Sequence, residues 1–329
     1  MNDVLVSTDR LTRDFAVGRG LGGGRTLRAV DEVSFDVRAG EILGVVGESG
    51  SGKSTLGRLL LHLLAPTSGR IVFDGIELSR LDRGGVHAFR RRAQPIYQDP
   101  YSSLDPRWRV ARTIREPLDA FKLGTPPERE TRVAELLEAV GLSTRHGAAR
   151  PHELSGGQRQ RAAIAAALAP RPDLIVADEP VSALDVLVQA QILNLIVSLQ
   201  REFGLTIVFI THNLSVVEHL ADRVAVMYLG RIVELGATTD VLAAPQHPYT
   251  QALIASVPHP DPARRLELAP LRGEIPSPID PPPGCRFHTR CPVAFELCRS
   301  VEPALRADAS GRLVACHLAR PDERAASIP

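Results

Sequence analysis

Lysine is nearly absent. The chain has 329 residues and uses lysine twice, at Lys53 and Lys122, carrying its other positive charges on arginine. The arginine excess reads as a compositional bias, and against it Lys53 is no random surface charge. Long apolar runs are missing as well. Spanning a bilayer takes about 20 apolar residues; the nearest stretches, Ala162–Ala169 and Leu205–Ile210, are far too short. Met1–Arg10 lacks the apolar core of a signal peptide. A soluble, cytoplasmic chain is expected, meeting a membrane only through a partner. Excess charge is lacking too: 23% of residues are charged and the net charge is +1, which excludes a nucleic-acid-binding polycation or a disordered polyanion. Cysteine does not occur before residue 285, and all four thiols follow. In a reducing compartment such a cluster points to metal ligands more than to disulfides.

What is present is enough apolar material for a substantial core: 44% of residues are hydrophobic. Val4–Ser7, Val33–Val37 and Ile42–Val46 read as strands, the second with the period-2 alternation of a half-buried one. Between the first two lies GRGLGGG (18–24), a formal G-x-G-x-x-G at Gly18, Gly20 and Gly23. It has no buried strand before it and no helix after it, so it reads as a mobile loop. Residues 85–150 are rich in helix formers and read as a helical insert; Val133, Leu136, Leu137 and Val140 keep helical spacing. Strand-like runs return at Leu174–Ala177, Thr206–Ile210 and Val224–Met227, with helical stretches between them such as Ala190–Leu199. That alternation predicts an α/β core, a mostly parallel sheet flanked by helices. Nine prolines between Pro258 and Pro283 exclude a helix or central strand there. The expected division is 1–245 and 246–329. No 20–50-residue repeat is evident.

Gly47–Ser54, GESGSGKS, fits G-x-x-x-x-G-K-[ST] behind the apolar strand Ile42–Val46 and before the helical Leu56–Leu64. Gly47, Gly50 and Gly52 let the backbone curl so that N–H groups, including those of Ser49 and Ser51, point inward at phosphate oxygens. The helix that follows, with Thr55 in its first turn, adds its positive end. Lys53 reaches the β- and γ-phosphates, and the Ser54 hydroxyl can ligate Mg²⁺. Nucleotide binding follows, but not what the nucleotide drives.

LIVADEP (174–180) is a strand ending in two carboxylates. Asp178 is suited to Mg²⁺ or its waters, and Glu179 to polarising a water for in-line attack on the γ-phosphorus. ELSGGQRQR (153–161) supplies a second small, amide-rich helix start at Ser155, Gly156 and Gly157. Two phosphate-binding ends with one phosphate loop suggest head-to-tail dimerisation, each ATP lying between the loop of one chain and the 155–157 turn of the other.

On these residues the chain resembles the nucleotide-binding subunits of ABC transporters. Leu154–Gln158 matches their LSGGQ signature. The resemblance implies a P-loop NTPase core with an antiparallel β-subdomain and a helical subdomain. It also implies that Gln98 contacts Mg²⁺ and the membrane subunits, that Ser182–Asp185 is the D-loop with Asp185 at the nucleotide interface, that His212 contacts the γ-phosphate, and that Phe15 stacks on adenine. Asn213 departs from the aspartate usual after that histidine. The stretches 98–107, 182–196 and 247–258 and the tail GEIPSPIDPPPGCRFHTRCP resemble the oligopeptide/dipeptide importer branch. That implies an ATPase at the cytoplasmic membrane face, paired with a second, distinct ATPase subunit, two membrane permeases and, indirectly, a solute-binding protein. A soluble ABC ATPase of DNA repair or translation is the alternative, though the chain has one cassette and no heptad run. A nucleotide-binding regulator without turnover is a third reading, opposed by the full set Lys53, Asp178, Glu179 and His212.

Cys285, Cys291, Cys298 and Cys316 are spaced C-x5-C-x6-C-x17-C, without the C-x2-C pairs of zinc ribbons. Four thiolates can hold Zn²⁺ or a [4Fe–4S] cluster. Related importer tails resemble cluster-binding domains, so the cluster is the first expectation, zinc the second, free or oxidised thiols the third. A small Pro/Cys-rich C-terminal domain has little core of its own, which suits a stabilising metal. His288 and His317 read as structural.

Overall fold

Two sheets organise the chain. The computed structural model describes residues 4–17, 25–99, 104–256 and 273–319; the glycine-rich loop 18–24, residues 100–103 and the prolines of 257–272 lie outside the described residues. The first sheet is antiparallel, built from β1 (Val4–Val17), β2 (Arg25–Arg38), β4 (Ser68–Phe73) and β5 (Ile76–Glu77), in the order β2-β1-β4-β5. β1 and β2 run well beyond the expected strands. Register shifts at Thr8/Leu11, Leu11/Arg13 and Arg13/Asp14 interrupt their alternation. A bulge of this kind breaks the period-2 signal while pairing continues.

The second sheet joins β3 (Ile42–Val46), β6 (Ala93–Ile96), β7 (Leu174–Asp178), β8 (Thr206–Thr211), β9 (Arg223–Tyr228), β10 (Arg231–Ala237), β11 (Arg306–Ala307) and β12 (Leu313–Val314), in the order β11-β12-β10-β9-β3-β8-β7-β6. Pairing is parallel from β9 through β6 and antiparallel in the β9–β10–β12–β11 half. β3 and β8 are buried at every position, as strands covered on both faces must be. β6 corrects the reading of 85–150 as wholly helical. It is an edge strand, where Pro95 is tolerated because one side needs no ladder donor.

Helices α1 (Lys53–Leu60), α2 (Arg83–Arg92), α6 (Gly156–Leu168), α7 (Val186–Phe203) and α8 (Leu214–Leu220) accompany the sheets. α1 stops short of the expected Leu64, because His62 turns to φ 51°. α3 (Val110–Ala120), α4 (Pro126–Ala139) and α5 (Thr144–Ala148) make the helical insert, burying Val110, Ile114, Val133, Leu136 and Leu137 in one core with Ile164 and Leu168 of α6. Among the described residues no helix is long and apolar enough to cross a membrane.

The C-terminal stretch adds α9 (Thr238–Ala243), α10 (Pro248–Ala255) and α11 (Glu296–Ser300). Its described part shares the cassette's core. β12 pairs with β10, and Phe287, 1% exposed, packs edge-on to Tyr228 at 5.3 Å and lies 5.4 Å from Tyr249. Fully burying one such side chain is worth about 1.5–3 kcal/mol.

Candidate functional site

The phosphate loop leaves β3 and enters α1 through a passage too narrow for side chains. A Cβ on Gly47 would stand 2.2 Å from the Met227 carbonyl oxygen, and one on Gly52 2.1 Å from that of Ala29. Gly52 also sits at φ 103°, a conformation that favours glycine. The loop is tied to the β9–β10 turn, where the Gly230 N–H donates to the Ser51 carbonyl at 2.8 Å.

Lys53 is 5% exposed, and its Nζ donates to the carbonyls of Gly47 at 2.8 Å and Glu48 at 2.9 Å. Burial lowers its pKa, opposed by the charges of Glu179, Asp178 and Glu48. The ammonium is thus desolvated and aimed by the loop, as a phosphate-binding cation should be. Ser54 Oγ donates to Asp178 Oδ1 at 3.0 Å. Burial raises the Asp178 pKa, with the Ser54 hydrogen bond acting against it. These two oxygen donors suit a hard divalent cation.

Glu179 follows β7 with φ 48°, and its N–H donates to the Ile210 carbonyl at 2.9 Å. Its carboxylate lies 3.2 Å from His212 Nδ1 and accepts from Gln98 Nε2 at 3.4 Å. A non-glycine residue in left-handed backbone at a cleft is a mark of strain held for function. Gln98, Glu179 and His212 line one cleft of about 1220 Å³ with Gly47, Ser49, Gly50, Gly52, Lys53, Ser54 and Thr55. Ser51 lies just behind, its Oγ 3.5 Å from Lys53 Nζ.

Other expected site residues stand apart from this cleft. Ser155 caps α6: it accepts the Gln158 N–H at 3.3 Å, while Gln158 Oε1 accepts the Ser155 N–H at 2.9 Å. Gly156 and Gly157 form the first turn above it. Asp185 caps α7, accepting the Val188 N–H at 3.0 Å. Phe15 pairs with Leu27 across β1–β2, and it is Leu27 that lines the cleft; the Arg13 guanidinium lies 4.7 Å from the Phe15 ring centre.

Sequence reasoning missed three contributors. Ala252, Leu253 and Ala255 of α10 and the Ser256 that follows it, with Ile275 and Pro278, form part of the cleft's wall. The Tyr249 hydroxyl accepts the Glu48 N–H at 2.9 Å, and Arg290 grips the Glu48 carboxylate. His-Pro-Tyr at 247–249 was the available signal. His247 caps α10 by accepting the Tyr249 N–H, Pro248 opens the helix, and Tyr249 reaches the phosphate loop.

The four cysteines line one small cavity together with His288 and His317, and none is in a disulfide. Burial pushes the Cys285 thiol up to about 11, and the other three thiols push the same way. His288 Nδ1 and His317 Nε2 each lie 2.9 Å from a backbone carbonyl, of Cys285 and Val301 respectively. Among the described residues, no group of three or more His, Cys, Asp or Glu is arranged to hold a single metal ion.

Two family models match the chain: ABC transporter over residues 30–182, and oligopeptide/dipeptide transporter, C-terminal region, over residues 233–298. A protein of Sinorhizobium fredii named "Probable peptide ABC transporter ATP-binding protein y4tS" is 52% identical over 324 residues, 98% of this chain and 92% of that one. The oligopeptide transport ATP-binding protein AppF of Bacillus subtilis is 50% identical over 295 residues, 89% of this chain and 90% of its own. Among solved structures, the dimeric ATP-binding cassette MJ0796 bound to ADP and phosphate is 30% identical with a TM-score of 0.63, covering 71% of this chain and 98% of that one. The cbiO1 subunit of Clostridium perfringens, part of the complex cbiONQ, is 30% identical with a TM-score of 0.64, covering 74% of this chain and 92% of that one.

Proposed function

The chain belongs to the ABC transporter ATP-binding proteins, in the oligopeptide/dipeptide branch, and from that premise we propose how its own residues bind and hydrolyse ATP. It is the ATP-hydrolysing subunit of a peptide-class import system. Lys53 exchanges its two loop carbonyls for β- and γ-phosphate oxygens, helped by loop N–H groups other than those of Glu48 and Ser51, which, against the sequence expectation for Ser51, donate to the Tyr249 hydroxyl and the Glu48 carbonyl. Ser54 and Asp178, with Gln98 nearby, would hold Mg²⁺, which neutralises phosphate charge when bound. Glu179 orients the attacking water and takes its proton, and His212 steadies the γ-phosphate. The observation that carries this reading is the Glu179 carboxylate, held between His212 and Gln98 in the cleft that contains Lys53. Positioning and charge stabilisation supply the rate. Glu179→Gln should cut ATP turnover about 10²–10⁴-fold while ATP binding persists and an ATP-bound dimer accumulates. Turnover near wild type, measured by phosphate release, would overturn the role.

Ser155–Gly157 and Asp185 act across a dimer interface in this reading. Support comes from their separation from their own chain's cleft and from Val186 and Leu187, an apolar pair each 79% exposed beside Asp185. The partner is a second, similar ATPase, and the pair works at the cytoplasmic membrane face on two permease subunits served by a solute-binding protein. For the four thiols, which line one cavity, a [4Fe–4S] cluster is the first reading and zinc the second; that cavity, about 10 Å³, would have to widen to take a cluster. Iron and acid-labile sulfide in stoichiometric amounts per chain would support this; zinc, or neither, would overturn it.

A further inference from the structure

We propose that Arg290, far from the cassette in sequence, is a positioning residue of the nucleotide site that acts by neutralising Glu48 of the phosphate loop. The inference rests on the ATP reading above. Arg290 Nη1 and Nη2 donate to the two Glu48 carboxylate oxygens at 2.7 and 3.0 Å, a fork-to-fork pair. The Arg290 side chain is 4% exposed and that of Glu48 23%. Tyr249 holds the same residue by its backbone, accepting the Glu48 N–H at 2.9 Å. The C-terminal stretch therefore grips one loop residue at both its main chain and its charge.

The charge matters because of where Glu48 stands. Its carbonyl holds Lys53 Nζ at 2.9 Å, and its carboxylate is one of three whose charge acts on Lys53. An anion there opposes the arrival of a polyphosphate. Paired with a buried guanidinium, it is screened, and the loop keeps its shape. Glu179 and Asp178 are the other two anions facing Lys53; they serve the water and the cation and need no such partner.

The test measures Mg-ATP affinity of the full-length chain, with a fluorescent ATP analogue, for wild type, Arg290→Gln, Glu48→Gln/Arg290→Gln and Arg290→Lys. An unpaired unit charge about 12 Å from a phosphate in an effective dielectric near 20 weakens binding about tenfold, so Arg290→Gln should lose about that factor. Removing the stranded anion in the double variant should bring affinity back to within about threefold of wild type. Loss without recovery in the double variant would show that Arg290 merely holds the tail, and no loss in Arg290→Gln would show no coupling; either overturns the proposal. Should Arg290→Gln fail to fold, Arg290→Lys decides: it keeps the cation and should stay within about threefold, and a tenfold loss refutes the charge argument. Wild-type chain that does not bind Mg-ATP would instead sink the functional reading itself.

Discussion

His247 makes α10 sensitive to acid, and the effect can be sized. The residue is 1% exposed and its Nδ1 accepts the Tyr249 N–H at 3.0 Å, capping α10. Only the neutral ring can accept there, and burial lowers its pKa to about 3 from the ordinary 6.5. The unfolded chain takes up a proton near pH 6.5 and the folded chain does not. Stability from this group is therefore complete above pH 6.5 and is lost as pH falls from there towards 3. The slope is about 1.4 kcal/mol per pH unit, so between pH 7.5 and 5.0 the loss is about 2 kcal/mol. His247→Asn keeps a capping acceptor and removes the titration. Thermal melts of both proteins at pH 7.5 and 5.0 cancel the contributions of all other groups. Wild type should lose a few degrees more than the variant between the two pH values. An equal loss in both would refute a neutral, buried His247.

Gly157, in the first turn of α6, has a Cβ position 2.5 Å from Val188 Cγ1. Gly157→Ala should destabilise by about 1–3 kcal/mol through overpacking, and adding Val188→Ala should recover most of it in denaturant melts; no recovery would show the strain lies elsewhere. Asp178→Asn weakens the acidic partner of Ser54. The Mg²⁺ concentration for half-maximal ATPase should rise about 10–100-fold, and an unchanged Mg²⁺ dependence would remove Asp178 from the cation site.

The residues legible in the sequence are those whose chemistry is local. The run 47–55 dictates its own backbone: glycines where Met227 and Ala29 carbonyls crowd the loop, a lysine at the helix start, a hydroxyl beside it. Asp178 and Glu179 were legible because they follow a buried strand, at whose end Asp178 meets Ser54 and Glu179 lines the cleft. β1 was read short, since its bulges hide the alternation that pairing usually imposes. β11 and β12 span two residues each and carry no periodic signal at all.

Glu48 was illegible for a different reason. Its partners Tyr249 and Arg290 lie 201 and 242 positions away along the chain; His-Pro-Tyr could mark the start of α10, but nothing local says that it meets Glu48. The same holds for the tail as a whole. Proline density and clustered thiols suggest a unit apart, yet beside their own internal hydrogen bonds its described residues also bond to the cassette. Arg286 pairs with Asp31, which is 1% exposed, Arg290 with Glu48, and Phe287 fills the space beside Tyr228 and Tyr249. An ion pair this buried costs desolvation that only close geometry offsets, and breaking one partner strands the other. The tail and the phosphate loop are therefore bound by groups that tolerate little drift, so a rearrangement at Cys291, which lines the cysteine cavity and follows Arg290 in sequence, would reach Glu48 through a single side chain.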